Sequence, residues 1–443
     1  MKKLTDSAIT LHKIHARRQR KRSLTKIKSS QKKKNLKKIE NYKSKIEHLN
    51  AYKCITKETF IIDKKRKSRE RTIHIPEKFS IYDNPEETLE IIKSIAEIAD
   101  DKKIKKLYID HSNCKEHDLA AETLLASVAS SLKTVRTINK SKFNIEGRFP
   151  KDNKMKRLLR SIGVVKEVAT KKYHLDEKDN LKLYKRTGNP SLTDSPFSSD
   201  KKKEATEKFV PYLNECLSYI NAVLDDDEES KLNRYLAEVI GNAEEHSGNK
   251  LWTMVSYLDA KDRNNLYCEI VIKNIGKTIY NTFIDKIEES LVNNRRIQYV
   301  DKHIANFTDE QLTLVYSMQQ NASSKLDEDI TRGQGTKYLI NLFHHLSDEC
   351  NRINHSNNIT GIVRPQMFVL SGSSMLKFDG TYRDSKDEKG KMIYSFNASN
   401  DLSVAPDAKY VKSLQNGVEF AGTIIYIRFA LYKSGLRSSD EHE

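Results

Sequence analysis

Glu238, Asn242 and His246 follow one another at four-residue intervals in ESKLNRYLAEVIGNAEEHSG (229–248). A helix stacks side chains three or four apart on one face. Arg234, Glu238, Asn242 and Glu245 would therefore project together. Mg²⁺ takes oxygen ligands, keeps several waters and uses few protein ligands. An asparagine carbonyl can be one of them, and a glutamate one turn away can orient an attacking water. The spacing alone is common on surface helices, and His246 reads equally well as a packing histidine at a helix end.

Downstream stretches supply what a triphosphate needs. TRGQGTKYLINLF (331–343) is a glycine-rich turn opening an apolar helix. Such turns expose backbone N–H groups with the positive end of a helix dipole behind them. YCEIVIKNIGKTI (267–279) reads as a strand ending in a glycine turn, and FVLSGSSMLKFDG (368–380) and EFAGTIIYIRFAL (419–431) read as late strands.

In this order the motifs resemble the gyrase, heat-shock chaperone, histidine-kinase and mismatch-repair (GHKL) ATP-binding superfamily over roughly residues 205–432. Glu238, Asn242 and His246 match its Glu-x-x-x-Asn-Ala-x-x-His box, and Asn274 and Gly276 match its Asp-x-Gly-x-Gly box. Gly333 and Gly335 match the second glycine box, and Gly422 and Thr423 the closing Gly-Thr. The resemblance implies ATP and Mg²⁺ as ligands. It makes Asn242 the Mg²⁺ ligand and Glu238 the general base. Asn274 would meet the adenine amine, with Gly276 letting the base approach. Gly333, Gln334, Gly335 and Thr336 would wrap the phosphates, with Thr423 beside the base site. NASSKLDEDI (321–330) would be a lid whose Ser323, Ser324 and Lys325 reach the γ-phosphate. Three positions depart from the pattern: Asn274 replaces an aspartate and is a weaker acceptor, Thr278 stands where the second glycine belongs, and Thr336 stands where the second glycine box often has another small or apolar residue.

The elements that must position these residues are legible from periodicity. Leu232, Tyr235, Leu236, Val239, Ile240 and Ala243 form the buried stripe of one amphipathic helix. The expected fold is α/β (α+β): a two-layer α/β sandwich of the superfamily's ATP-binding type over 206–432, with a smaller α/β domain over 71–170. That smaller domain alternates strands (71–76, 105–112, 142–150) with helices (85–101, 117–132, 155–168). Its element order resembles a STAS-like domain, the anti-anti-sigma fold, although HSNCKEHDL (111–119) lacks the Asp-Ser-x-Gly turn of the phosphorylated members and Ser112 reads as an ordinary loop serine. Residues 171–205 read as a polar linker and 433–443 as a polar tail.

Residues 1–71 hold 25 Lys and Arg against 6 Asp and Glu, which accounts for the whole net charge of +18. Residues 1–70 are therefore expected as a basic helical or disordered arm. With almost no interleaved aromatics, this segment fits sequence-independent contact with a nucleic-acid backbone, DNA or RNA, or with a protein partner. No apolar run is long enough to span a bilayer, and five cysteines without a CxxC pair fit reduced cytoplasmic thiols rather than a zinc site. The expected activity is an ATP-binding switch, ATPase in character, with an ATP-dependent homodimer as one form, in genome maintenance or anti-phage defence. An anti-sigma-like serine kinase and a nucleotide site without turnover are the alternatives.

Overall fold

The computed structural model describes residues 31, 39, 42–55, 69–169, 181–188, 199–220, 223–246, 251–260, 266–285, 291–319, 322, 340–341, 343–344, 365–386 and 392–431. The chain is mixed α/β, with a small parallel sheet and a large antiparallel one.

The described chain opens with a helix over 42–53 (α1), inside the segment expected as an arm. Its Leu49 and Tyr52, and Ile55 just beyond it, are buried. The end of the basic segment is thus part of the core, because apolar residues reappear there at helical spacing. β1 (Glu70–His74), β3 (Lys106–Asp110) and β5 (Asn144–Arg148) make a three-stranded parallel sheet in the order β1-β3-β5. β2 (Lys78–Phe79) pairs with β4 (Glu116–His117). The helices between are α2 (Pro85–Glu97), α3 (Leu119–Ile138), α4 (Asn153–Ser161) and α5 (Val164–Val168). α3 starts where the Asp118 carboxylate accepts from the Ala121 amide at 2.7 Å, an N-cap. The single helix expected over 155–168 is split at Gly163, where a Cβ would lie 2.9 Å from the Leu159 Cα.

The larger sheet orders its strands β13-β10-β9-β14-β8-β7-β6. They are β6 (Leu181–Gly188), β7 (Leu251–Asp259), β8 (Tyr267–Ile275), β9 (Gln366–Gly372), β10 (Ser374–Phe378), β13 (Val411–Ser413) and β14 (Phe420–Ala430); β11 (Ser385–Lys386) and β12 (Met392–Ile393) form a separate pair. β6 falls inside the stretch read as a linker. It is an edge strand whose Lys182, Lys185 and Arg186 flank the buried Tyr184, so its sequence carries a weak apolar signal.

Two helical layers cover this sheet. On one face lie α6 (Ser199–Leu217), α7 (Asp226–His246), α8 (Ile279–Ile284), α9 (Leu291–His303) and α10 (Asp309–Ser317). Leu232, Leu236, Val239, Ile240 and Ala243 of α7 share a core there with Ile270, Ile272, Val369 and Ile427. On the other face Val271, Phe368, Leu370, Ile424 and Tyr426 share a core with Leu124, Leu125 and Val128 of α3. Burial on both faces explains why β8 is buried almost throughout rather than alternating. α7 itself is well started: Asp225 and Glu228 exchange backbone-to-side-chain bonds in a capping box, and four acidic residues occupy its first turn, where the helix dipole favours them.

Candidate nucleotide site

The site residues that can be placed gather at one end of the large sheet, on the face covered by α7. Asn274 of β8 is 6% exposed. Its register partners are Trp252 on β7 and Thr423 on β14, and Thr423 is paired in turn with Ser371 on β9. These positions lie in phase with the helix-side core residues Ile272, Val369 and Ile427. A side-chain row therefore crosses four strands, and it is held by hydrogen bonds. The Asn274 Oδ1 accepts from the Thr423 amide at 3.1 Å. The Ser371 and Thr423 hydroxyls lie 3.0 Å apart, and the Ser371 Oγ donates to the Gly422 carbonyl at 3.0 Å. The Ile279 amide donates to the same Oγ at 2.9 Å, which seats the start of α8 over the row.

Two glycines shape this end of the sheet. Gly276 (φ 139°) turns the chain out of β8, and its amide donates to the Ala421 carbonyl at 3.1 Å. Gly422 (φ 141°) sits opposite at a register shift in β14, and a Cβ there would stand 2.2 Å from the Asn274 carbonyl oxygen. Both conformations are open to glycine and strained for other residues.

The amide of Thr423 is a donor, so the Asn274 atom facing it must be the carbonyl oxygen. One lone pair of the oxygen expected to accept from adenine is therefore already engaged by the protein. The Asn274 NH₂ makes no hydrogen bond among the described residues.

α7 brings its C-terminal end to the same place. The Trp252 indole donates to the Glu244 carboxylate at 2.7 Å. Contacts with α6 mark one flank of the buried stripe: Asn214 bonds Glu229 at 2.6 Å, and Gly241 lies beside Lys202. At 3.6 residues per turn, Glu244 belongs to that flank and Asn242 to the opposite one, with Glu238 further round from the sheet. α6 overlies the edge strand β6 through Tyr184 and Lys182. The flank of Asn242 is thus turned toward β8 and β14, where the polar row lies. Both Asn242 and Glu238 are half-buried.

Glu238, Asn242, Asn274, Gly276 and Thr423 are therefore brought to one end of one layer. Ser323, Ser324, Lys325, Gly333, Gln334, Gly335 and Thr336 lie outside the described residues, as does the side chain of His246. Sequence reasoning passed over Ser371 and Trp252; the signal available was a serine breaking the apolar run MFVLSG (367–372). Among the described residues no three His, Cys, Asp or Glu side chains are grouped to hold a metal. Mg²⁺ beside a polyphosphate needs only one or two protein oxygens, and a half-buried asparagine carbonyl is a suitable one.

No family model, curated protein or solved structure matches the chain. No helix of the described residues is long and apolar enough to cross a membrane.

Proposed function

We propose that residues 206–432 form a nucleotide-binding domain of the GHKL type, a two-layer sandwich that binds ATP with Mg²⁺ and works as an ATP-dependent switch. The observation that carries the reading is the hydrogen-bonded row of Asn274, Thr423 and Ser371 beneath the flank of α7 that bears Asn242, with Glu238 one turn earlier and further round from the sheet. A buried asparagine whose NH₂ makes no hydrogen bond among the described residues, framed by two glycines of positive φ, suits the edge of a planar base. Bound ATP supplies the phosphoanhydride to be cleaved. Asn242 holds the metal through its carbonyl oxygen. Glu238 orients the attacking water and takes its proton. The sequence resemblance assigns the phosphate contacts to Gly333, Gln334, Gly335 and Lys325, which lie outside the described residues.

The basic N-terminal segment contacts nucleic acid in this reading. α1 fixes its end to the reverse side of the sheet: the Tyr52 hydroxyl accepts from Lys273 at 3.0 Å, and the Ile55 carbonyl accepts from the Glu419 amide at 2.5 Å. Lys273 precedes Asn274 on β8, and Glu419 precedes the Gly422–Thr423 turn of β14. The two site strands are thereby each joined to α1 or its end by a hydrogen bond, the link through which the proposed switch would act.

Phosphate release tests the catalytic part. The wild-type chain should release phosphate from ATP in the presence of Mg²⁺, and Glu238→Ala should reduce release by about 10²-fold or more while ATP still binds. Unchanged release in Glu238→Ala sinks the hydrolase reading. A nucleotide site without turnover is the second reading; Asn274 in place of aspartate, with its oxygen engaged by Thr423, favours it.

A further inference from the structure

The N-terminal ends of the three parallel strands gather six exposed cations at one edge of the smaller domain. Arg69 leads into β1, Lys102, Lys103 and Lys105 lead into β3, and Lys140 and Lys142 lead into β5. Hydrogen bonds fix their relative positions. The Lys105 amide donates to the Arg69 carbonyl at 2.7 Å, and the Asn144 amide donates to the Lys105 carbonyl at 3.0 Å. Arg69, Lys105 and the chain just after Lys142 are therefore level across the sheet. Lys140 is held in a left-handed turn (φ 53°), and the Lys105 ammonium lies 3.5 Å from the Ser141 hydroxyl.

None of these six cations has an ion-pair partner among the described residues. Elsewhere on the surface pairing is common: Lys78 with Glu116, Lys115 with Glu77, Lys203 with Glu207, Lys231 with Asp227. One residue further along β3, Lys106 is held by both Glu70 and Glu146. Of the acids nearest the edge, Asp100 is paired with Lys53, while Asp101 accepts from the Lys103 amide and sets one negative charge against the six cations. The C-terminal ends of α2 and α3 favour nearby positive charge, but two helix dipoles amount to about one negative charge. They do not account for six cations whose mutual repulsion acts within a Debye length.

α1 itself is bonded to this same edge at both of its ends. The Tyr42 hydroxyl bonds Asn139, at the end of α3, at 3.3 Å, and Lys53 pairs with Asp100, just after α2, at 2.8 Å.

We propose that this edge is a nucleic-acid contact surface that grips the phosphate backbone of a duplex without reading its sequence. Strands about 4.8 Å apart spread the cations over about 10 Å, a length of duplex that carries about six phosphates. Ile138 is the large apolar side chain exposed at this edge, too little to insert into a lipid interface. The proposal shares its partner with the function proposed above and is independent of the nucleotide site.

The experiment measures binding of the full chain to a 30-base-pair duplex by fluorescence anisotropy at several salt concentrations. The comparison is with a variant combining Lys102→Glu, Lys103→Glu, Lys105→Glu, Lys140→Glu and Lys142→Glu. All five side chains are exposed, and circular dichroism verifies folding. A control reverses the paired surface residues Lys203 and Lys231. The variant should bind about 100-fold more weakly or worse, and its log–log salt dependence should be shallower by about 3 to 5. The control should keep wild-type affinity, and the response to ATP should be the same in all three proteins. If five reversals leave affinity and salt dependence unchanged, the edge is not a contact surface. If the control loses as much as the variant, net charge and not this edge governs binding. If the wild-type chain binds phosphatidylserine vesicles in preference to the duplex, the partner is wrong. A changed ATP response would instead bear on the switch, which duplex affinity does not test.

Discussion

Lys273 and Asn274 are consecutive on β8 and face opposite layers. Asn274 joins the hydrogen-bonded row at the candidate site, while Lys273 is buried against the smaller domain, donating to the Tyr52 hydroxyl at 3.0 Å and the Ser127 hydroxyl at 2.8 Å. Alternation along a strand makes this arrangement automatic. β8 is thus bonded on one face to the site row and on the other to α1.

Stability should therefore depend on pH through Lys273. Burial, with smaller contributions from Lys185 and Lys45 and partial relief from Glu167, lowers its pKa from the ordinary lysine value to about 7. Between about pH 7 and the unfolded value near 10.5 the unfolded chain binds the extra proton. Raising the pH through that window therefore favours the fold, by up to about 1.4 kcal/mol per pH unit. Below about pH 7 this contribution is flat. Denaturant melts from pH 7 to 9 should show the rise, and Lys273→Met should remove it.

Glu269 should be the costliest carboxylate to delete. It is fully buried, and its Oε2 accepts from the Tyr426 hydroxyl and from the Leu119 amide, both at 2.8 Å, which ties the start of α3 to the large sheet. Its Oε1 lies 3.3 Å from the Arg428 guanidinium. Glu269→Ala leaves that mostly buried cation without its carboxylate, held by the His117 carbonyl, Gln366 and the Tyr267 ring, and should destabilise the fold by about 3 kcal/mol. Glu269→Ala with Arg428→Met should cost less than the two single changes added together. Strict additivity in denaturant titrations would show that the pair does not interact.

Gly422→Ala should damage the site from within the backbone. Its φ of 141° strains any Cβ, and the added carbon would meet the Asn274 carbonyl oxygen at 2.2 Å. β14 must then shift away from β8, breaking the bond between the Thr423 amide and Asn274. A loss of about 1–3 kcal/mol of stability is expected, together with loss of ATP binding. Gly417→Ala offers a comparison: its φ of 66° lies in the left-handed region that Lys140, Phe396, Asn400 and Asn416 also adopt, and open space surrounds its Cβ, so it should be strained less and keep the binding.

Much of the site helix was legible because its signal is local. The stripe of Leu232, Leu236, Val239, Ile240 and Ala243 is buried as its spacing indicates, while Tyr235 in the same stripe is half-exposed. The α/β alternation of the smaller domain was legible for the same reason. β6 was not, because LKLYKRTG commits one large side chain to the core and places charges at three of the other seven positions. The burial of Lys273 and Glu269 was not legible either. Their partners Tyr52, Ser127 and Tyr426 are 221, 146 and 157 residues away, and nothing in YCEIVIKN announces that both faces of the strand are covered. The polar row needed the register of four strands, which no single segment encodes.

Thermal unfolding with and without ATP and Mg²⁺ tests the central claim most directly. With ligand at about 100 times its Kd, the wild-type chain should gain about 2.7 kcal/mol. Asn242→Ala should remove most of that gain while melting normally without ligand; Asn274→Ala should also remove it, and should melt lower without ligand because the Thr423 amide loses its acceptor. No stabilisation of the wild-type chain at millimolar ATP, or equal stabilisation in both variants, would contradict a nucleotide site between α7 and the Asn274–Thr423–Ser371 row.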